Sequence, residues 1–150
     1  MTDLENAMDA IDNQLDSILN PLLEDEIVTT VAYGTKWREK PDPPFLQVVY
    51  DTADINTTSS TGRHEYWNQP IKVGATVKNI DNPREGFREA RRIVSKARNL
   101  LLAERQLGIP EIVRTVESSK IVTVPFPFGG KTSLYGAGTT LNVLFMIDNK

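Results

Sequence analysis

The sequence predicts an α+β protein: an antiparallel or mixed β-sheet with two amphipathic helices packed on one face, in the order α-β-β-β-α-β-β-β. Three observations predict it. Apolar residues recur at helical spacing in two stretches, near each end of the first hundred residues. The remaining apolar segments are short, rich in β-branched side chains, and alternate in character. These strands come in runs, three between the helices and three after them, rather than one by one as in a doubly wound sheet.

Thr2-Asp3-Leu4-Glu5 reads as a capping box, with Thr2 as N-cap. Leu4, Met8, Ile11, Leu15, Ile18, Leu19 and Leu22 then form one apolar stripe, which Pro21 is expected to end or kink near Asn20. EIVTTVAYG reads as a strand, and the stiff Lys40-Pro41-Asp42-Pro43-Pro44 connects it to a second strand over 45–51. The stretch TADINTTSSTGRH, residues 52–64, then reads as a long mobile loop, small and polar, with too little apolar surface to order itself. A third strand follows over about 65–78, and its Pro70 and Gly74 suggest a sheet edge or a bulge. Asn82-Pro83-Arg84-Glu85 opens the second helix with an N-cap, a proline at the first position and a glutamate at the third. Its buried face is Phe87, Ala90, Val94, Ala97 and Leu101, and Gly108 with Pro110 closes it. EIVRTV and KIVTVPF around Glu117-Ser118-Ser119 read as a hairpin, and TTLNVLFMID as a last strand whose dry face is Thr139, Leu141, Val143, Phe145 and Ile147.

The 150 residues fit one domain spanning 1–150, able to bury about 70% of its unfolded surface. With no cysteine and one histidine, thiolate chemistry, cysteine zinc sites and paired-histidine sites are excluded. No leader-like basic and apolar start is present, and no apolar run approaches a membrane span, so a cytoplasmic place of synthesis and no membrane partner are expected. The net charge of −3 hides an asymmetry: residues 1–35 carry eight acids and no Lys or Arg, while the remainder holds all 17 basic residues against 12 acids. Such a split suits electrostatically paired protein surfaces better than nucleic acid.

Gly130-Lys131-Thr132 after an apolar strand, with LFMID near the end, looks superficially like the nucleotide-binding pair of a P-loop enzyme. The mechanics fail. Pro125 stands where the first glycine of the phosphate cradle belongs, and strand chemistry follows where a helix N-terminus is needed. His64 beside Glu65 has no second His or Cys with which to hold a metal, and reads as an exposed loop residue. Glu5, Asp9, Asp12 and Asp16 align on one helix face, where a solvated acidic surface outweighs a hard-cation site. No cofactor or metal is expected. Trp37 and Trp67 read as core or interface anchors. Arg84, Arg88, Arg91 and Arg98 form a basic stripe, with Arg105 one further heptad on. Counting alternating strands makes the two helices parallel, so the acidic and basic stripes would not face each other within one chain. Each stripe is then either a solvated face or a surface for a partner. Glu85 and Glu89 interrupt the arginines and no aromatic row accompanies them, which disfavours sequence-specific nucleic acid.

An acidic amphipathic helix, the Pro-rich approach PDPPFLQVVY, a long polar loop, IKVGATV, the helix EGFREARRIVSKARNLL and a closing TLNVLFMID together resemble the tail terminator (tail completion) proteins of long-tailed bacteriophages. The resemblance covers nearly the full length and rests on element order and texture. It implies a structural virion protein rather than an enzyme, forming a six-membered ring on the tail tube. That ring would stop tube polymerisation and provide the head-joining surface at the head–tail junction. The implied partners are further copies of the chain, the tail tube protein and the head–tail neck or connector proteins. Under this reading Asp9, Asp12, Asp16, Arg84, Arg88, Arg91 and Arg98, with Asn56, Arg63 and His64 of the long loop, are candidate subunit or tube contacts. A different head–tail neck or connector component, a small nucleotide-binding enzyme built on Gly130-Lys131-Thr132, and a host protein with a generic α+β interaction fold are the competing readings.

Overall fold

The computed structural model describes residues 3–34, 42–57, 60, 63–79, 81–123 and 134–148. Among these, α1 spans Leu4–Glu24, β1 Thr30–Tyr33, β2 Phe45–Tyr50, β3 Asp54–Ile55, β4 His64–Lys78, α2 Pro83–Ala103, β5 Val113–Ser118, β6 Val122–Thr123 and β7 Leu134–Asp148. A short 3-10 turn, Arg105–Gly108, follows α2. The sheet is mixed and ordered β1-β2-β4-β7-β5, with β3 added beside β4 and β6 beside β7. The expected class and order hold, with β3 as an addition.

Helix α1 is capped by Asp3, not Thr2: the Asp3 carboxylate accepts from the Asn6 N–H at 2.8 Å. Thr2 lies outside the described residues. Pro21 does not end the helix either, which runs on to Glu24. Proline this close to a C-terminus removes one intrahelical bond. The stripe it would interrupt is deeply buried, with Leu19 and Leu22 each 1% exposed, and that burial outweighs the loss. Helix α2 starts as expected, with the Asn82 side chain accepting from Glu85 N–H. It stops at Ala103, earlier than Gly108 suggested. Gln106 and Leu107 adopt positive φ, which turns Leu107 back into the core, and Gly108 instead closes the 3-10 turn.

Strands β4 and β7 form the spine, paired in continuous register from His64↔Asp148 to Lys78↔Leu134. Strand β4 is therefore central, and Pro70 is not at an edge. The Pro70 carbonyl accepts from Asp51 N–H, so its N–H-less nitrogen points the same way, into the gap where β2 ends and β3 has not begun. No ladder bond to β7 is lost. Buried Gln69 closes the gap by donating from its amide to Asp51 O at 2.6 Å and Pro70 O at 2.9 Å. Gly74 marks no bulge; the register shift lies instead in β5, between Val113 and Thr115.

The expected hairpin is absent among the described residues as well. Strands β5 and β6 both pair antiparallel to β7, end to end along one edge; between them the Ser119 N–H donates to Thr140 O, and the Thr140 N–H donates to the Ser119 hydroxyl oxygen. The long β7 offers enough edge for both segments. Strand β1 pairs parallel to β2, which breaks the alternation assumed in counting strands. Thr29 N–H donates to Pro44 O, placing the α1 C-terminus where β2 begins, beside Phe45, Thr76 and Gly136. Gly86, at the start of α2, packs under the Tyr135 ring at that same end. The helices are antiparallel, not parallel.

Both helices cover one face. Ile71, Val73, Val77, Tyr135, Leu141, Val143 and Phe145 share a single core with Ala7, Ile11, Leu15 and Leu19 of α1 and Ala90, Val94, Ala97 and Leu101 of α2.

Candidate functional site

In an antiparallel helix pair whose polar stripes are offset in the same sense, the two stripes either meet or both turn outward. Here they turn outward. On α1, Asp16 accepts a hydrogen bond from the Tyr33 hydroxyl of β1, and Asp12 lies close to Tyr50 of β2. Burial, then the bond to Asp16 and the charges of Asp16 and Asp12, hold the Tyr33 hydroxyl well above the usual phenol range. Burial followed by Asp12 does the same to Tyr50, whose buried oxygen has no partner that meets hydrogen-bond geometry among the described residues. The acidic stripe thus overlooks the β1/β2 edge. Asp9, Asp12 and Asp16 are exposed, and among the described residues no cation lies within ion-pair distance of any α1 acid.

The basic stripe overlooks the opposite edge. Arg98 donates from Nε to Ser118 Oγ of β5 at 2.8 Å. Arg88 and Arg92 reach Glu85 at 4.0 and 3.1 Å, exposed pairs worth little in stability. Arg91 and Lys96 are exposed and unpaired among the described residues, as is Arg84. Together Arg88, Arg91, Arg92, Lys96 and Asn99 line an open groove of about 760 Å³, with Ile121 between β5 and β6 as its far wall. Sequence reading named Arg88 and Arg91 but missed Arg92 and Lys96. The signal was present, since Arg88, Arg92 and Lys96 stand four residues apart and so share a helix face.

Among the described residues, no helix covers the other face of the sheet. In-register Gly74 and Gly138 floor a shallow depression of about 270 Å³ walled by Gln47, Val49, Lys72, Lys120 and Val122. The 52–64 segment is partly built in. Asp54 and Ile55 pair with Asn68 and Trp67 of β4. Asn56 N–H donates to Tyr66 O, and the Ser60 hydroxyl links Asn56 O to Tyr66 N–H. His64 is not a loop residue but the first of β4, its Nδ1 3.0 Å from the Asp148 carboxylate across the strand pair. Arg63 is exposed just before it. The structure therefore brings Asn56 and His64 to the β3/β4 end.

Trp67 packs against the core with its indole N–H buried and unpartnered among the described residues. Trp37 and Gly130-Lys131-Thr132 lie outside the described residues. Among those described, no cluster of His, Asp or Glu is close enough to hold a metal ion, and no helix is long and apolar enough to cross a membrane.

The fold has a counterpart among solved structures. No family model matches the sequence, and no curated protein matches it. The chain is similar in fold to the sheath/tube terminator of an extracellular contractile injection system, PVC, in its extended state, solved by cryo-electron microscopy. The TM-score is 0.52 at 15% sequence identity, over 93% of this chain and 56% of that one. The chain thus spans little more than half the length of its structural neighbour, and the terminator-like α+β fold is what the two share.

Proposed function

We propose that the chain is a structural assembly protein that terminates a tail or injection-type tube. Copies form a ring, six-membered by the phage resemblance, that seats on the tube end and stops further subunit addition. The ring then presents a surface to the next component, the head-joining neck in a phage. Its partners are itself, the tube protein and that neck, and its place is the head–tail junction of the particle.

The observation that carries this reading is the likeness to a sheath/tube terminator across nearly the whole chain. The outward-turned stripes agree with it, because a head-to-tail ring needs two different surfaces on opposite sides of each subunit. The 52–64 segment, whose Asp54 and Ile55 pair with β4, is the element we assign to the tube contact.

The test is a tube-growth assay with purified tube protein. With the chain added, mean tube length stops rising and electron microscopy shows extra density at one end only. Tubes that keep lengthening with both ends bare would reject the proposal. A chain lacking residues 57–62 should keep its circular-dichroism spectrum and lose the end density.

A further inference from the structure

Resting on the ring reading, we infer that the occupant of the basic groove on α2 is the acidic flank of α1 from a second copy of this chain. Three observations point there. The groove is rich in cations and poor in acids: Arg91 and Lys96 have no counter-charge among the described residues, and Arg88 and Arg92 share the single carboxylate of Glu85. The α1 flank is its opposite, with Glu5, Asp9, Asp12 and Asp16 exposed, free of ion pairs among the described residues, and without one Lys or Arg within residues 1–35. The strand order puts them at opposite ends of the subunit, β1/β2 below the acids and β5/β6 beside the groove.

That placement excludes intramolecular neutralisation, and it makes the contact directional. A subunit that offers its acidic flank to one neighbour still offers its basic groove to the next, so the contact propagates head to tail. Two copies meeting flank to flank would set acid on acid or arginine on arginine, which disfavours a closed dimer. The repeat spacing also fits. Acids at 5, 9, 12 and 16 rise along α1 in the same four-and-three steps as Arg84, Arg88 and Arg91 along α2, so two helices laid side by side present several pairs in one register.

Two charge-reversed variants test it, chosen away from the Tyr33 and Tyr50 contacts so that folding is preserved: Glu5→Lys with Asp9→Lys, and Arg91→Glu with Lys96→Glu. Native mass spectrometry over a concentration series at low salt reads the assembly. The wild-type chain should form rings, with tube ends added as template where free copies stay monomeric. Each variant alone should need about a hundredfold more protein, because like charges then meet at every junction. Mixed one to one, the variants should assemble near the wild-type concentration as strictly alternating, even-numbered rings, since every junction again joins opposite charges. Thermal unfolding at the wild-type midpoint shows that each variant is folded.

Rings of unchanged affinity from either variant, or no rescue on mixing, would overturn the docking while leaving the terminator reading intact. Wild-type chain that never assembles, even on tube ends, would remove both. Duplex DNA bound at physiological salt by wild type and lost in Arg91→Glu/Lys96→Glu would overturn it in favour of nucleic acid in the groove.

Discussion

The two faces of the β4/β7 ribbon are built from the same 15-residue strands and have opposite fates. Odd-numbered positions such as Ile71, Val77, Leu141 and Phe145 are sealed beneath the helices, while the even-numbered Lys72, Gly74, Gly138 and Asn142 face away from them. The difference follows from the period of two along a strand, which lets one residue serve the core while its neighbour serves the surface. Stability is therefore concentrated on one face. The face away from the helices, uncovered among the described residues, and the helix flanks are free to carry charge, glycine or contacts to other molecules without unfolding the chain.

The sharpest break in that comparison comes from truncating one residue on each face. Leu141→Ala, on the sealed side, should cost about 2–5 kcal/mol in a urea titration, because the helices cannot collapse fully into the space. Asn142→Ala, its immediate neighbour on the open side, should stay within about 0.5 kcal/mol. Comparable losses from the two would mean that the bare face is packed after all.

Overfilling the sealed side should be the next largest effect. A Cβ at Gly86 would stand 2.4 Å from the Tyr135 ring, which is itself buried and held edge-on to Phe87 at a centroid distance of 4.8 Å. Gly86→Ala should lower stability by about 1–3 kcal/mol. Combined with Tyr135→Leu it should cost less than the sum of the two single changes, a coupling that a double-mutant cycle measures.

A smaller loss is expected where a polar side chain enters the sealed side. Gln69→Leu removes the amide donor that closes the gap beside Pro70, leaving the Asp51 carbonyl without that bond, at about 1 kcal/mol. Near neutral pH the smallest effect belongs to Tyr33→Phe, and its signature is alkaline. Tyr33 and Tyr50 ionise at higher pH in the folded chain than in the unfolded one, so the unfolded chain loses protons first. Stability should fall as pH rises past the ordinary tyrosine value of about 10, and Tyr33→Phe should make that fall shallower. A denaturant midpoint followed from pH 9 to about 11 reads it directly.

The amino-acid sequence by itself determined both helices, the long strands and the identity of the core stripe. Those features follow from local periodicity, and Leu15, Ala97 or Val143 reads the same way in any arrangement of the chain. It also determined that acids and arginines form separate stripes. Where those stripes point was decided only by tertiary structure. The parallel β1/β2 pair reversed the relative direction of the helices, and the lateral order of α1 and α2 over the sheet turned both stripes outward. Long-range pairing likewise placed Pro70 in a gap of a central strand and laid β5 and β6 end to end along β7. No local signal encodes these choices, because strand partners are selected by burial across the whole sheet rather than by neighbours in sequence.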